Sequence, residues 1–100
     1  MVKAIQVIWP QKARKQLREA YEYIKLDSVK NAEKVRKEIL ASTRQLGIAP
    51  KVYRPDKYKT DNDGSYRAFE LHRYRISYHI AKDEVTIVRV RHTSMDPLEY

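Results

Sequence analysis

A chain of 100 residues with 42% apolar and 34% charged side chains suits one domain spanning residues 1–100 with a modest core, and argues against wholesale disorder. The absence of cysteine excludes disulfides, thiolate metal sites and a cysteine nucleophile; no apolar run reaches the roughly 18 residues of a membrane span, and the stretch Met1–Val7 is too polar for a signal peptide. The 21 lysines and arginines outnumber 13 acids, giving a net charge of +8, which points to a cytoplasmic protein with either a polyanionic partner or a merely soluble basic surface.

Between Lys3 and Trp9, Ile5, Val7 and Trp9 alternate with Ala4, Gln6 and Ile8, which predicts a short half-buried strand. Pro10 ends it and suits the first turn of a helix, where its missing N–H does no harm. Ala13, Leu17, Ala20, Tyr21 and Ile24 recur every three or four residues and mark that helix's apolar face; Lys12, Arg14, Lys15, Arg18 and Glu22 lie opposite. Asp27 or Ser28 caps a second helix. Its apolar face runs through Ala32, Val35, Ile39, Thr43 and Leu46 until Gly47 and Pro50 stop it. Two amphipathic helices this close in sequence form an antiparallel hairpin.

From Gly47 to Ser65 the pattern lapses. Pro50, Pro55 and Gly64 interrupt a stretch that also holds Lys51, Arg54, Lys57 and Lys59, so a loose connector with at most a short edge strand at Val52–Tyr53 is expected. A loop this long in a small domain is also often functional. Asp61-Asn62-Asp63-Gly64 touches a calcium-loop pattern, but the glycine position then falls on Tyr66 and the last acidic position on His72, so it reads as a turn.

The remainder predicts an antiparallel meander of Tyr66–Leu71, Tyr74–Ala81 and Val85–His92. A turn at His72-Arg73 sets Phe69 beside Ile76 in the core and Glu70 beside Arg75 outside. A three-residue turn at Lys82-Asp83-Glu84 pairs Ile76, Tyr78 and Ile80 with Val90, Val88 and Thr86. It pairs Arg75, Ser77 and His79 with Arg91, Arg89 and Ile87 on the other face; a two-residue turn would bring arginines into the core. The expected architecture is a two-layer α+β domain, βααβββ, with the helix hairpin on one sheet face.

Arg75, Arg89 and Arg91 then cluster on the open face, either as a phosphate site or as a solvated, edge-protecting charged face. Metal-independent RNA cleavage needs a base, an acid and cations around the scissile phosphate, and His92, Glu70, Tyr100, Arg75 and Arg91 are the candidates. Tyr53, Tyr58 and Tyr66, interleaved with Lys57 and Lys59, are candidates for stacking on bases. No histidine spacing suggests zinc, and no cofactor or metal is expected.

The segment Tyr66-Arg67-Ala68-Phe69-Glu70-Leu71-His72-Arg73-Tyr74-Arg75-Ile76-Ser77-Tyr78 resembles the signature of the RelE/ParE superfamily of bacterial toxins. The likeness extends to the N-terminal strand, the helix hairpin with Tyr21-Glu22-Tyr23-Ile24, and the final strand running into Arg91-His92-Thr93-Ser94. It implies the toxin of a type II toxin–antitoxin module, neutralised by a cognate antitoxin that wraps its surface. RelE-like members cleave mRNA on the ribosome without a metal; ParE-like members poison DNA gyrase and have no known hydrolytic site. By resemblance, Arg75 corresponds to the arginine on the scissile phosphate, Arg91 or His92 to the basic residue ending the last strand, and Tyr100 to the C-terminal aromatic. The alternate lysines expected on the preceding strand fall on Ala68 and Glu70, while Arg67 and the long helix hairpin look more like ParE. Ribosome-associated mRNA cleavage is the first expectation, with Arg67, Arg89, Lys57 and Lys59 as further nucleic-acid contacts. Gyrase inhibition, or a non-toxic relative, is the alternative. Residues 1–50 carry 11 basic and 5 acidic side chains, a net +6, against 10 and 8, or +2, in residues 51–100; most of the excess charge lies away from this motif.

Overall fold

Pro10 is extended (φ −61°, ψ 161°) and its carbonyl accepts the Arg14 N–H. In this computed structural model, which describes residues 4–95, the strand β1 (Gln6–Ile8) is therefore followed at once by α1 (Gln11–Lys25). Of the two proposed caps, Ser28 starts α2 (Val29–Gln45), its hydroxyl accepting the Asn31 N–H at 3.1 Å. Ala13, Leu17 and Ala20 of α1 and Ala32, Val35, Ile39 and Thr43 of α2 are buried, so the helical periodicity selects the expected inner faces. Gly47 then passes so close to β1 that a Cβ would lie 2.7 Å from the Ile5 carbonyl oxygen. The Ile5 N–H donates to the Gly47 carbonyl at 2.8 Å, which fixes the strand to the end of α2.

Three further strands, β2 (Tyr66–Leu71), β3 (Tyr74–Ile80) and β4 (Glu84–His92), complete a sheet of order β1-β4-β3-β2. β1 runs parallel to β4 and the other pairs are antiparallel. The architecture is the expected α+β order βααβββ, with the antiparallel strands joined by one parallel pairing, β1 to β4, that makes the sheet mixed. Phe69↔Ile76 and Glu70↔Arg75 pair as the two-residue turn requires. His72 (φ 52°) and Arg73 (φ 68°) both occupy the left-handed region that such a turn demands.

The β3–β4 register differs from expectation at its turn end. Ala81 N–H donates to the Glu84 carbonyl at 2.8 Å, so the turn is Lys82-Asp83 rather than three residues. Arg75↔Arg91, Ile76↔Val90 and Ser77↔Arg89 pair as foreseen, but the register then shifts to Tyr78↔Ile87, His79↔Thr86 and Ile80↔Val85. The extra residue is Val88, a β-bulge that lets two strand residues face one. It keeps Val85, Ile87 and Val90 buried while Arg89 and Arg91 stay on the other face. The short turn and the core pattern are compatible only because of it.

The Gly47–Ser65 connector is pinned rather than loose. Pro55 bridges Arg67 beside β2 in place of a strand at Val52–Tyr53; Tyr53 instead turns its ring onto Phe69, stacked at 4.2 Å. Asp56 N–H donates to the Tyr66 carbonyl, and Asn62 Oδ1 accepts from Gly64 and Tyr66 N–H groups, making the expected Asp61–Gly64 turn.

Ile39, Leu46, Ile76, Tyr78, Val85 and Ile87 form the fully buried centre. The Tyr78 hydroxyl donates to the Pro50 carbonyl at 2.7 Å, and burial pushes its pKa up to about 12 against the opposing Arg67 charge. An unfolded tyrosine ionises near 10, so this contribution is complete below that pH and is lost as pH rises through 12. The expected loss is about 2 kcal/mol. Urea midpoints measured between neutral and strongly alkaline pH should fall less steeply for Tyr78→Phe than for the parent.

Candidate functional site

Arg75 and Arg91 face each other directly across β3 and β4, and Ser77 faces Arg89. Like charges placed so repel, and two carboxylates answer them. Arg75 Nη2 meets Asp56 Oδ1 at 2.8 Å and its Nη1 meets Glu70 Oε2 at 3.2 Å. Tyr58 packs under the guanidinium, with its ring centroid 4.9 Å from the central carbon. The Asp56 side chain is 1% exposed, Arg75 19% and Glu70 56%. Asp56 is thus the buried counter-ion and Glu70 the exposed one. Burial disfavours the charged guanidinium, but its bonds and charge interactions with Asp56, then Glu70, outweigh this and raise the Arg75 pKa. The third guanidinium nitrogen, Nε, is buried with no hydrogen-bond partner among the described residues. The two carboxylates set the orientation of the side chain at that cost.

The cluster opens into a cleft of about 60 Å³ bordered by Asp56, Tyr58, Glu70, Arg75, Arg89, Arg91 and His92. That is space for a few waters or a small anion, far below the several hundred Å³ of a typical ligand pocket. Arg91 and His92 come to it from the end of β4, as expected. His92 Nδ1 accepts the Ser94 N–H at 3.0 Å, with Ser94 Oγ 2.7 Å away. A neutral His92 ring therefore carries its proton on Nε2, which can donate a hydrogen bond while Nδ1 is occupied by Ser94. Its plane stands nearly perpendicular to Tyr74, centroids 5.0 Å apart.

The other expected residues divide. Arg67 is a loop staple: Nε donates to the Gly64 carbonyl at 2.9 Å and Nη1 to the Tyr53 carbonyl at 2.7 Å. Lys57 and Lys59 lie over the Tyr58 and Tyr66 rings, each at 5.2 Å, and Tyr66 also packs on His79. Tyr53, Tyr58 and Tyr66 are thus already engaged with neighbours of their own chain. Tyr100 lies outside the described residues. Asp56, the partner that defines the cluster, was missed by the sequence reading. Its signal is faint: it is the single acid among Lys51, Arg54, Lys57 and Lys59, nineteen positions before Arg75.

The family model for the ParE toxin of the type II toxin–antitoxin system parDE matches residues 7–97. The chain belongs to the ParE toxin family. Its fold is similar to a chain of the chromosomal ParDE toxin–antitoxin system of P. aeruginosa, with TM-score 0.71, 20% identity, and 90% of this chain and 97% of that one covered. It is also similar to a chain of the RelBE2 toxin–antitoxin complex of Mycobacterium tuberculosis, with TM-score 0.52, 21% identity, and 89% and 98% covered. No curated protein matches the sequence.

Proposed function

We propose that this ParE-family toxin acts as a binding inhibitor of DNA gyrase and is held inactive by a cognate antitoxin. The observation that carries this reading is the state of Arg75. An arginine that must gather the charge of a scissile phosphate works best with its charge uncompensated, whereas the Arg75 charge is already countered by two carboxylates, Asp56 and Glu70, one on each terminal nitrogen. With Ala68 and Glu70 supplying no cation, the outer sheet face resembles a structural clasp more than a hydrolytic centre. The antitoxin partner is supported by the two toxin–antitoxin assemblies to which the fold is similar.

A second reading is metal-independent mRNA cleavage on the ribosome. It is favoured by one observation: a His92 Nε2 donor, the Glu70 carboxylate and Arg91 border the same cleft. In that case His92 in its imidazolium form gives its Nε2 proton to the leaving 5′-oxygen and Glu70 takes the proton of the 2′-hydroxyl. Transcript mapping after induction without antitoxin separates the two. Intact transcripts in growth-arrested cells are expected; cleavage that begins within minutes of induction supports the second reading instead.

A further inference from the structure

β1 covers only the start of β4, pairing Gln6, Val7 and Ile8 with Glu84, Val85 and Thr86. Past the Val88 bulge, β4 is therefore a sheet edge among the described residues. Its Val90 N–H points outward and donates to Gln16 Oε1 of α1 at 2.8 Å. A second cavity, of about 440 Å³, lies against this edge on the helix side. Gln16, Glu19, Ala20 and Tyr23 share one face of α1 and form one wall, with Tyr74 and Val90 in the other. Arg91, His92 and Met95 border both this groove and the 60 Å³ arginine cleft of the outer sheet face. The two cavities thus meet over the end of a single strand.

Their chemistry differs. The cleft sets Arg75, Arg89 and Arg91 against Asp56 and Glu70, so cations outnumber carboxylates in a space fit for one small oxyanion. The groove falls within the roughly 300–1,000 Å³ of small-molecule sites and is rich in aromatic surface. Tyr74 is buried, but Tyr23 is 66% exposed and offers a flat face on which a planar ring can stack. Polar groups on α1 can read the edge of such a ring. The Gln16 oxygen is taken by Val90, which leaves its amide N–H groups to donate, and the Glu19 carboxylate accepts. Guanine presents a carbonyl beside a ring N–H and an amino group, which matches one donor and one carboxylate. We propose that the joined cavities bind a guanine nucleotide, with its phosphate in the arginine cleft and its base in the tyrosine groove. Arg91 and His92 flank the sugar between them. The site rests on these two cavities and not on the choice between gyrase and mRNA.

Calorimetric titration of the full chain with GMP, guanosine and ribose 5-phosphate tests the two halves together and apart. GMP is expected to bind at least about tenfold more tightly than either fragment. Tyr23→Ala should weaken GMP about tenfold and leave ribose 5-phosphate within about twofold of the parent. Arg89 borders only the cleft, so Arg89→Gln should weaken GMP and ribose 5-phosphate alike, by about tenfold. Both variants should keep the circular dichroism of the parent. A short single-stranded oligonucleotide ending in the same nucleotide separates the two sources of this chemistry. Binding tighter than GMP assigns the site to a strand end, and equal or weaker binding assigns it to the free nucleotide. GMP binding no tighter than ribose 5-phosphate, binding undiminished in both folded variants, or no binding at all overturns the site. None of those results touches the gyrase reading, which the supercoiling of plasmid DNA tests separately.

Discussion

Asp56→Ala is expected to lower stability by about 3 kcal/mol, because it removes the buried counter-ion of the largely buried Arg75 and leaves only the exposed Glu70 beside it. The same substitution at the other end of the clasp, Glu70→Ala, should cost less than about 1 kcal/mol, since that partner is solvated and screened. Both carboxylates touch the same guanidinium at similar distances, 2.8 and 3.2 Å; burial, not contact, sets the ratio. Arg75→Ala should behave like Asp56→Ala, because it takes the facing cation from a buried carboxylate. Urea unfolding of the three variants measures this. A small loss for Arg75→Ala with toxicity abolished would mark Arg75 as a functional cation instead of a clasp, and would favour the RNA-cleaving reading.

The second large effect belongs to the junction of β1 and α2. Gly47→Ala should cost about 2–3 kcal/mol through overpacking, because the added methyl would sit 2.7 Å from the Ile5 carbonyl oxygen. A backbone atom cannot rotate aside as a flexible side chain would. Relief requires β1 to move, and with it Val7 and the Trp9 that follows the strand, both of which pack against the core. The variant should therefore show reduced thermal stability together with a changed Trp9 emission. A parent-like melting temperature would mean that the junction relaxes at little cost.

Much of this fold was legible because its elements obey simple periods. The apolar positions from Ala13 to Ile24 and from Ala32 to Leu46 mark two helices, and the alternation in β2 and β3 fixes Phe69 opposite Ile76 and Glu70 opposite Arg75. What escaped has a common physical cause: it depends on contacts distant in sequence. Alternation alone argued against a two-residue turn at Lys82-Asp83, since Val88 carries no mark of a bulge. The parallel pairing of β1 with β4 spans most of the chain and leaves no local trace. The candidate site was legible as a set of arginines converging on one face. Its character was not, because Asp56 reaches Arg75 from a loop whose proline- and lysine-rich composition suggested slackness. His92 could be placed at the end of its strand, but which nitrogen carries the proton depends on a hydrogen bond from Ser94.

The reading of the outer sheet face as a clasp, and of the toxin as a binding protein, meets its most direct test in a supercoiling assay with purified components. Relaxed plasmid, gyrase and ATP are combined with increasing toxin and no ribosomes or mRNA. The expected result is loss of supercoiling as toxin approaches stoichiometry with gyrase, restored by adding the antitoxin. Full supercoiling in the presence of a large excess of folded toxin would contradict it.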